Sequence, residues 1–153
     1  MAARPHAFPR ERRLKRRRLI RPLFDRARPD VGRVRVGTVQ ILYRVVPREA
    51  TGVDTLLQVG LAPGRRPTAV ERNRIRRALR ETFRLHQGPL LEALDGRSDC
   101  LTAFVLFRGR AATVTADLQR DLPEALRRLA ARSAAEANPV VTRRASNPPA
   151  TTP

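Results

Sequence analysis

Arg72, Asn73, Arg74, Arg76, Arg77, Arg80 and Arg84 are of the types that grip phosphate oxygens and base edges, and they crowd one short segment. A guanidinium is a planar fork that binds phosphate bidentately and also stacks on bases. Asn73 adds a neutral donor and acceptor able to reach a base edge, a 2′-hydroxyl or a phosphate. At about 100° per residue, Ile75, Ala78, Leu79, Thr82 and Phe83 share one narrow helical face. Asn73, Arg76, Arg77, Arg80 and Arg84 share the opposite face, with Arg72 and Arg74 at its margins. A solvated, ion-paired helix would need acids four residues from the arginines. Glu81 lies four from Arg77 and Glu71 five from Arg76, so most of the ladder lacks a partner. The chemistry this spacing supports is the grip of a polyanion.

Other chemistry needs groups that converge, and few do. His6 lies in a basic arm, and His86 ends the arginine segment, where the helix dipole favours it. Cys100 opens an apolar run and reads as a small buried hydrophobe. Asp95 and Asp99 flank a loop, with no paired-carboxylate metal site. Neither a P-loop nor G-x-G-x-x-G is present. A protein nuclease with its own catalytic residues is disfavoured. One cysteine and two histidines also leave no disulfide framework and too few soft ligands for structural zinc.

The composition supports the polyanion reading. The 153 residues hold 32 Lys+Arg against 14 Asp+Glu, a formal charge of +18. Residues 1–28 net +9 and residues 65–84 net +6, while the rest nearly cancel. A genome rich in arginine codons would explain 31 arginines beside one lysine, but not their clustering. Clustered cations mark a footprint on nucleic acid. No run approaches the roughly 18 apolar residues of a membrane span. No signal-peptide core or serine-rich transit segment is visible, so the expected location is cytoplasmic.

The elements that must hold the ladder read as α+β. Residues 1–11 look like a loose basic arm, 12–132 a packed domain, and 133–153 a disordered tail rich in Pro, Ala and Thr. Leu14, Ile20, Leu23, Phe24 and Ala27 fall at helical spacing, with Pro22 a kink. A β-rich run covers Val34 to Pro47, Thr51-Gly52 is a turn, and Leu56 to Leu61 is a strand stopped by Pro63-Gly64. The arginine helix runs from a Thr68 cap to His86, before Gly88-Pro89. Cys100 to Phe107 suits a strand buried on both faces. Asp117 to Ala131 is a last amphipathic helix, with Leu118, Leu122, Leu126 and Leu129 inward.

The stretch Ala69-Val70-Glu71-Arg72-Asn73-Arg74-Ile75-Arg76-Arg77-Ala78-Leu79-Arg80-Glu81-Thr82-Phe83-Arg84 closely resembles the RNR helix of the bacterial ribonuclease P protein subunit. That pattern runs A-V-x-R-N-R-x-K-R-x-x-R-E-x-F-R. Arg13-Leu14-Lys15 followed by Leu23-Phe24, then Gln40-Ile41-Leu42-Tyr43, Val59-Gly60-Leu61 and Val105-Leu106-Phe107-Arg108, resemble other stretches of the family in order and spacing. The likeness covers about 12–132. Two departures stand out. Leu19 and Ile20 replace the family's aspartate and phenylalanine. The lead-in Arg65-Arg66-Pro67-Thr68 is about one residue short and lacks a glycine.

The resemblance implies an α-β-β-β-α-β-α sandwich, ribosomal protein S5 domain 2-like, with a left-handed crossover holding the RNR helix. It implies a protein subunit of ribonuclease P, which binds the catalytic RNA and the 5′ leader of precursor tRNA. The RNA would cleave with Mg2+ bound mainly by itself; no catalytic residue, protein-held metal, small-molecule substrate or membrane partner is expected. Arg72, Asn73, Arg74, Arg76, Arg77, Arg80 and Arg84, with Arg65 and Arg66 in the loop before them, would contact the RNA subunit. Phe24 and Tyr43, with Arg13, Lys15, Arg16 and Arg17, would line the leader cleft. From the residues alone Phe24 fits core equally well, and Tyr43 could face the core with its hydroxyl bonded. Aromatics beside cations form a generic single-strand platform. The competing functional reading is a structural RNA-binding protein of ribosomal type with no part in cleavage. A DNA-binding reading lacks a recognition-helix pair.

Overall fold

A computed structural model describes residues 9–64 and 67–136. Its centre is β4 (Asp99–Phe107), the uninterrupted apolar run. β4 pairs antiparallel with β2 (Val39–Pro47) on one side and parallel with β3 (Leu57–Pro63) on the other. β1 (Gly32–Val36) forms a hairpin with β2, so the strand order is β1-β2-β4-β3. The expected single run from Val34 to Pro47 is therefore two strands, folded back at Gly37, whose φ is +54°. A parallel pair needs a long crossover. Here α2 (Ala69–His86) and α3 (Gly88–Leu94) supply it between β3 and β4. Gly88-Pro89 ends α2 as expected but also starts α3, since proline is tolerated in a first helical turn. α4 (Val114–Glu136) completes the chain described.

Both faces of the sheet are covered. On one, Val39, Ile41, Tyr43, Leu57, Val59, Leu101, Ala103, Val105 and Phe107 pack against Ile75, Leu79 and Phe83 of α2, Leu90 and Leu94 of α3, and Leu118, Leu122, Leu126 and Leu129 of α4. On the other, Leu42, Val46, Cys100 and Leu106 meet Leu14, Leu19, Leu23 and Val31. The second, smaller cover comes from the N-terminal segment. There the helix expected from Leu14 to Ala27 is much shorter. α1 is Arg17–Ile20, and Pro22 turns the chain into a 3-10 turn over Arg21–Phe24. Leu14 is extended instead, its N–H donating 3.0 Å to the Val59 carbonyl beside an Arg13–Val59 bridge. An apolar residue needs only to reach the sheet, and a bridge does that as well as a helix turn.

Two boundaries shift as well. Arg10–Arg12 form a 3-10 turn, Gln58 Nε2 donates 3.0 Å to the Glu11 carbonyl, and Arg12 donates to Gln87 Oε1. The docked chain thus begins before residue 12; residues 1–8 of the expected arm lie outside the described residues. At the far end α4 continues beyond Ala131. Ser133 is buried, and its carbonyl accepts from Arg97 Nη1 at 3.0 Å. The proposed tail therefore starts too early at 133, while residues 137–153 lie outside the description. Among the described residues no helix is long and apolar enough to cross a membrane.

Candidate nucleic-acid interface

The arginine helix is specified locally at its start. Thr68 Oγ1 accepts from the Glu71 N–H at 3.2 Å, and the Glu71 carboxylate accepts from the Thr68 N–H at 3.0 Å. This reciprocal capping box satisfies two otherwise orphaned backbone donors. Ile75, Leu79, Thr82 and Phe83 are buried, which turns the opposite side outward. Asn73, Arg74, Arg76, Arg77 and Arg80 are exposed, and Arg72 is half-buried. Among the described residues none of these five guanidiniums has a hydrogen bond or ion pair to an acid. Asn73, Arg74 and Arg77 also line a groove against the start of α4, beside Val70, which is 78% exposed.

Arg84 departs from the expected ladder. Its guanidinium pairs with Glu81 at 2.6 Å, and its side chain is only 16% exposed. Three residues separate the pair along the helix, so the acid that seemed to cover little neutralises the last arginine. Arg65 and Arg66 lie outside the described residues.

The face of the sheet away from α2 carries a second basic surface. Strand register builds it row by row. Arg35, Gln40 and Leu106 sit opposite one another across β1, β2 and β4, and so do Arg33, Leu42 and Phe104. Phe24, at the end of the 3-10 turn, lies over this face half-exposed. Its ring meets Phe104 edge-on, with centroids 5.2 Å apart and planes at 69°. Phe104 can lie against the sheet because its parallel neighbour is Gly60, where a Cβ would come within 2.5 Å of the ring. A groove of about 450 Å³ results, lined by Leu23, Phe24, Arg26, Arg33, Arg35, Gln40, Leu42, Leu106 and Arg108. Its cations are four arginines, and Arg108 Nε donates 2.8 Å to Gln40 Oε1.

The expected cleft residues divide among four places. Phe24 is in this groove. Tyr43 is not: it is 6% exposed and packs in the core under α2 and α4. It shares the face of Val39 and Ile41, one residue out of step with Leu42, and its ring fills the space left by Gly32, where a Cβ would be 2.2 Å from Cζ. Arg13, Lys15 and Arg16 line a separate pocket with Arg10, Glu11, Thr51, Val53, Asp54 and Gln58. Arg17 is exposed at the start of α1. Sequence reading missed Arg26, Arg33, Arg35, Gln40 and Arg108 of the groove, and Phe104 as the ring against which Phe24 rests. The period-2 alternation of β1 carried the signal for Arg33 and Arg35.

Acids near these surfaces are already engaged. Asp30 accepts from Arg28 and Arg44, whose guanidiniums hold its carboxyl far below the usual range. Asp99 is lowered by bidentate Arg97. Burial pushes the Cys100 thiol up to about 12, so it is neither a nucleophile nor a ligand at neutral pH. Among the described residues no group of three or more His, Cys, Asp or Glu could hold a metal ion. The arrangement offers cations and, at Phe24, an exposed aromatic ring.

The ribonuclease P family model matches residues 8–130. The ribonuclease P protein component of Desulfovibrio desulfuricans is 34% identical over 128 residues, which covers 83% of this chain and 89% of that one. The solved structure of the Staphylococcus aureus RNase P protein is 18% identical with a TM-score of 0.46, covering 74% of this chain and 94% of that one.

Proposed function

This chain belongs to the ribonuclease P protein family and is a subunit of a tRNA-processing endoribonuclease, and from that premise we propose which RNA each of its two basic faces holds. The outer face of α2 binds the catalytic RNA of the holoenzyme. The groove beneath Phe24 binds the single-stranded 5′ leader of precursor tRNA. The RNA subunit cleaves the leader with Mg2+ that it holds itself.

One observation carries this reading: five arginines on the outer side of α2 have no acid partner among the described residues, on a helix whose back is locked into the core. Unpaired like charges at helical spacing repel, so the free protein bears a cost that a phosphate backbone removes. A folded RNA presents phosphates in register with such a rigid face. Single-stranded RNA instead needs a ring to stack on and cations alongside, which the Phe24 groove provides.

The test is reconstitution with a bacterial ribonuclease P RNA and precursor tRNA at low magnesium. Wild-type protein should stimulate cleavage, and Arg72→Ala with Arg76→Ala should weaken RNA binding and flatten its salt dependence. Each lost phosphate contact lowers the slope of log K against log salt by about 0.9. No stimulation would favour an RNA-binding role without part in cleavage, and an unchanged slope would count against contacts from Arg72 and Arg76.

A further inference from the structure

Lys15 is the one lysine of a chain with 31 arginines. It rises from fixed backbone, since the Leu14 N–H donates 3.0 Å to the Val59 carbonyl and Arg13 bridges to Val59. The pocket it lines, of about 530 Å³, has a built frame. Gln58 Nε2 donates 3.0 Å to the Glu11 carbonyl, and the Arg16 guanidinium lies against Gly52, where a Cβ would collide with Nη2. Arg10, Arg13, Lys15 and Arg16 bring four cations, all exposed and none with an acid partner among the described residues. Of the pocket's two acids, Asp54 pairs with Arg48, which leaves Glu11 against the four. A cleft lined largely by one sign of charge concentrates small ions of the other.

The pocket also holds a nucleophile. A guanidinium stays protonated and inert, whereas a lysine amine attacks carbonyl carbon. Cys100, the chain's one thiol, is buried. Lys15 is thus an exposed amine placed where anions collect. We propose that Lys15 is an acylation site for anionic donors of the acyl phosphate class, gathered by the guanidiniums around it. Its neutral Nζ attacks the acyl carbon and a C–N bond forms. The C–O bond to phosphorus breaks, phosphate leaves with that electron pair, and the nitrogen gives one proton to solvent. The product is a neutral amide, so the pocket loses one of its four cations. Gln58 lies two residues before Gly60 on β3, which puts the pocket on the same face of the sheet as the Phe24 groove. Acylation therefore weakens the hold on precursor tRNA. That consequence rests on the assignment of this face to the leader; the acylation itself does not.

The full-length protein would be treated with acetyl phosphate or, separately, with acetic anhydride, which is uncharged. Peptide mass spectrometry would give the residue labelled and its rate. Acetyl phosphate should label Lys15, several-fold more slowly at high salt, where screening weakens the attraction. Arg13→Ala with Arg16→Ala should slow that labelling several-fold and leave labelling by the anhydride nearly unchanged. Equal slowing with both reagents, or with neither, would overturn the site. Binding of precursor tRNA to the reconstituted holoenzyme gives the second readout. Acetyl phosphate treatment should lower the wild-type salt slope by about 0.7, the share of one contact to a single strand. The same treatment should change nothing in Lys15→Arg, which has no amine to acylate. A slope lowered equally in Lys15→Arg, or unmoved in labelled wild type, would overturn the effect on substrate. If untreated wild type bound precursor no better with its leader than without, the leader assignment would fall instead, with the labelling result untouched.

Discussion

Asp121 is 4% exposed and closes the β1–β2 hairpin from the far end of the chain. Its Oδ2 accepts from the Thr38 N–H at 2.8 Å and the Thr38 hydroxyl at 2.7 Å, while Arg120 binds both carboxylate oxygens. Gly37 permits this twice over: its φ is +54°, and a Cβ there would lie 2.4 Å from Oδ2. Arg120 first, and then the Thr38 bonds, hold the Asp121 carboxyl at about 2. A carboxyl lowered on folding stabilises the fold above its unfolded value near ~4. That contribution is lost as pH falls through the folded value. Asp121→Asn should therefore cost roughly 1–3 kcal/mol at neutral pH, and its difference from wild type should shrink between about pH 4 and 2. Denaturant titrations of both proteins across that range check it; a difference independent of pH would mean the charge is idle. Cys100, buried and raised, gives a second readout. A thiol reagent should modify it only as the protein unfolds, and rapid labelling of the native chain would contradict its burial. Residue by residue, the sequence was legible where one face was oily and the other was not. In β2 it was not, because Ile41, Leu42 and Tyr43 are all buried between two covers, so no polar alternation marks which one faces the groove.

At the scale of elements, α2 was the clearest feature because three independent signals coincide: the Thr68–Glu71 cap, the apolar stripe and the proline-glycine punctuation. Thr68→Ala breaks the box and should cost about 1 kcal/mol of stability, visible as a lower denaturation midpoint with unchanged m-value. An unchanged midpoint would show the helix to be set by packing alone. The short elements were harder. α3 is seven residues, too brief to show a period, and its opening Gly-Pro doubles as the end of α2. α1 was overestimated because Leu14 repeats at helical spacing with residues it does not share a helix with. The Phe24 groove depends on a cross-strand fit invisible in either strand alone. Gly60 makes room for Phe104, which meets Phe24. Gly60→Val should lift Phe104 off the sheet and weaken leader-dependent substrate binding several-fold, by losing part of a stacking platform. Affinity for the RNA subunit should stay near wild type. Equal loss of both affinities would show that the substitution disturbs the whole sheet.

The molecule as a whole separates its cations by putting a four-stranded sheet between them. The sequence showed that charge was clustered, but linear clusters are not faces. Residues 65–84 do supply the α2 ladder, yet Arg33, Arg35 and Arg108 come from stretches that looked nearly neutral and meet across strands. Only strand register unites them. The α2 arginines project from a helix packed on one side of the sheet, and the groove opens on the other. Side chains with no shared partner and a packed layer between them contribute nearly additively. Arg76→Ala with Arg80→Ala should therefore lower affinity for the RNA subunit, and the salt slope by up to about 1.8. Arg33→Ala with Arg35→Ala should lower affinity for precursor tRNA with a leader, and spare precursor with the leader removed. Combined, the two pairs should couple by less than about 0.5 kcal/mol in a double-mutant cycle. Coupling well above that would mean one RNA wraps the edge of the sheet and touches both faces at once, and the division of labour between them would have to be abandoned.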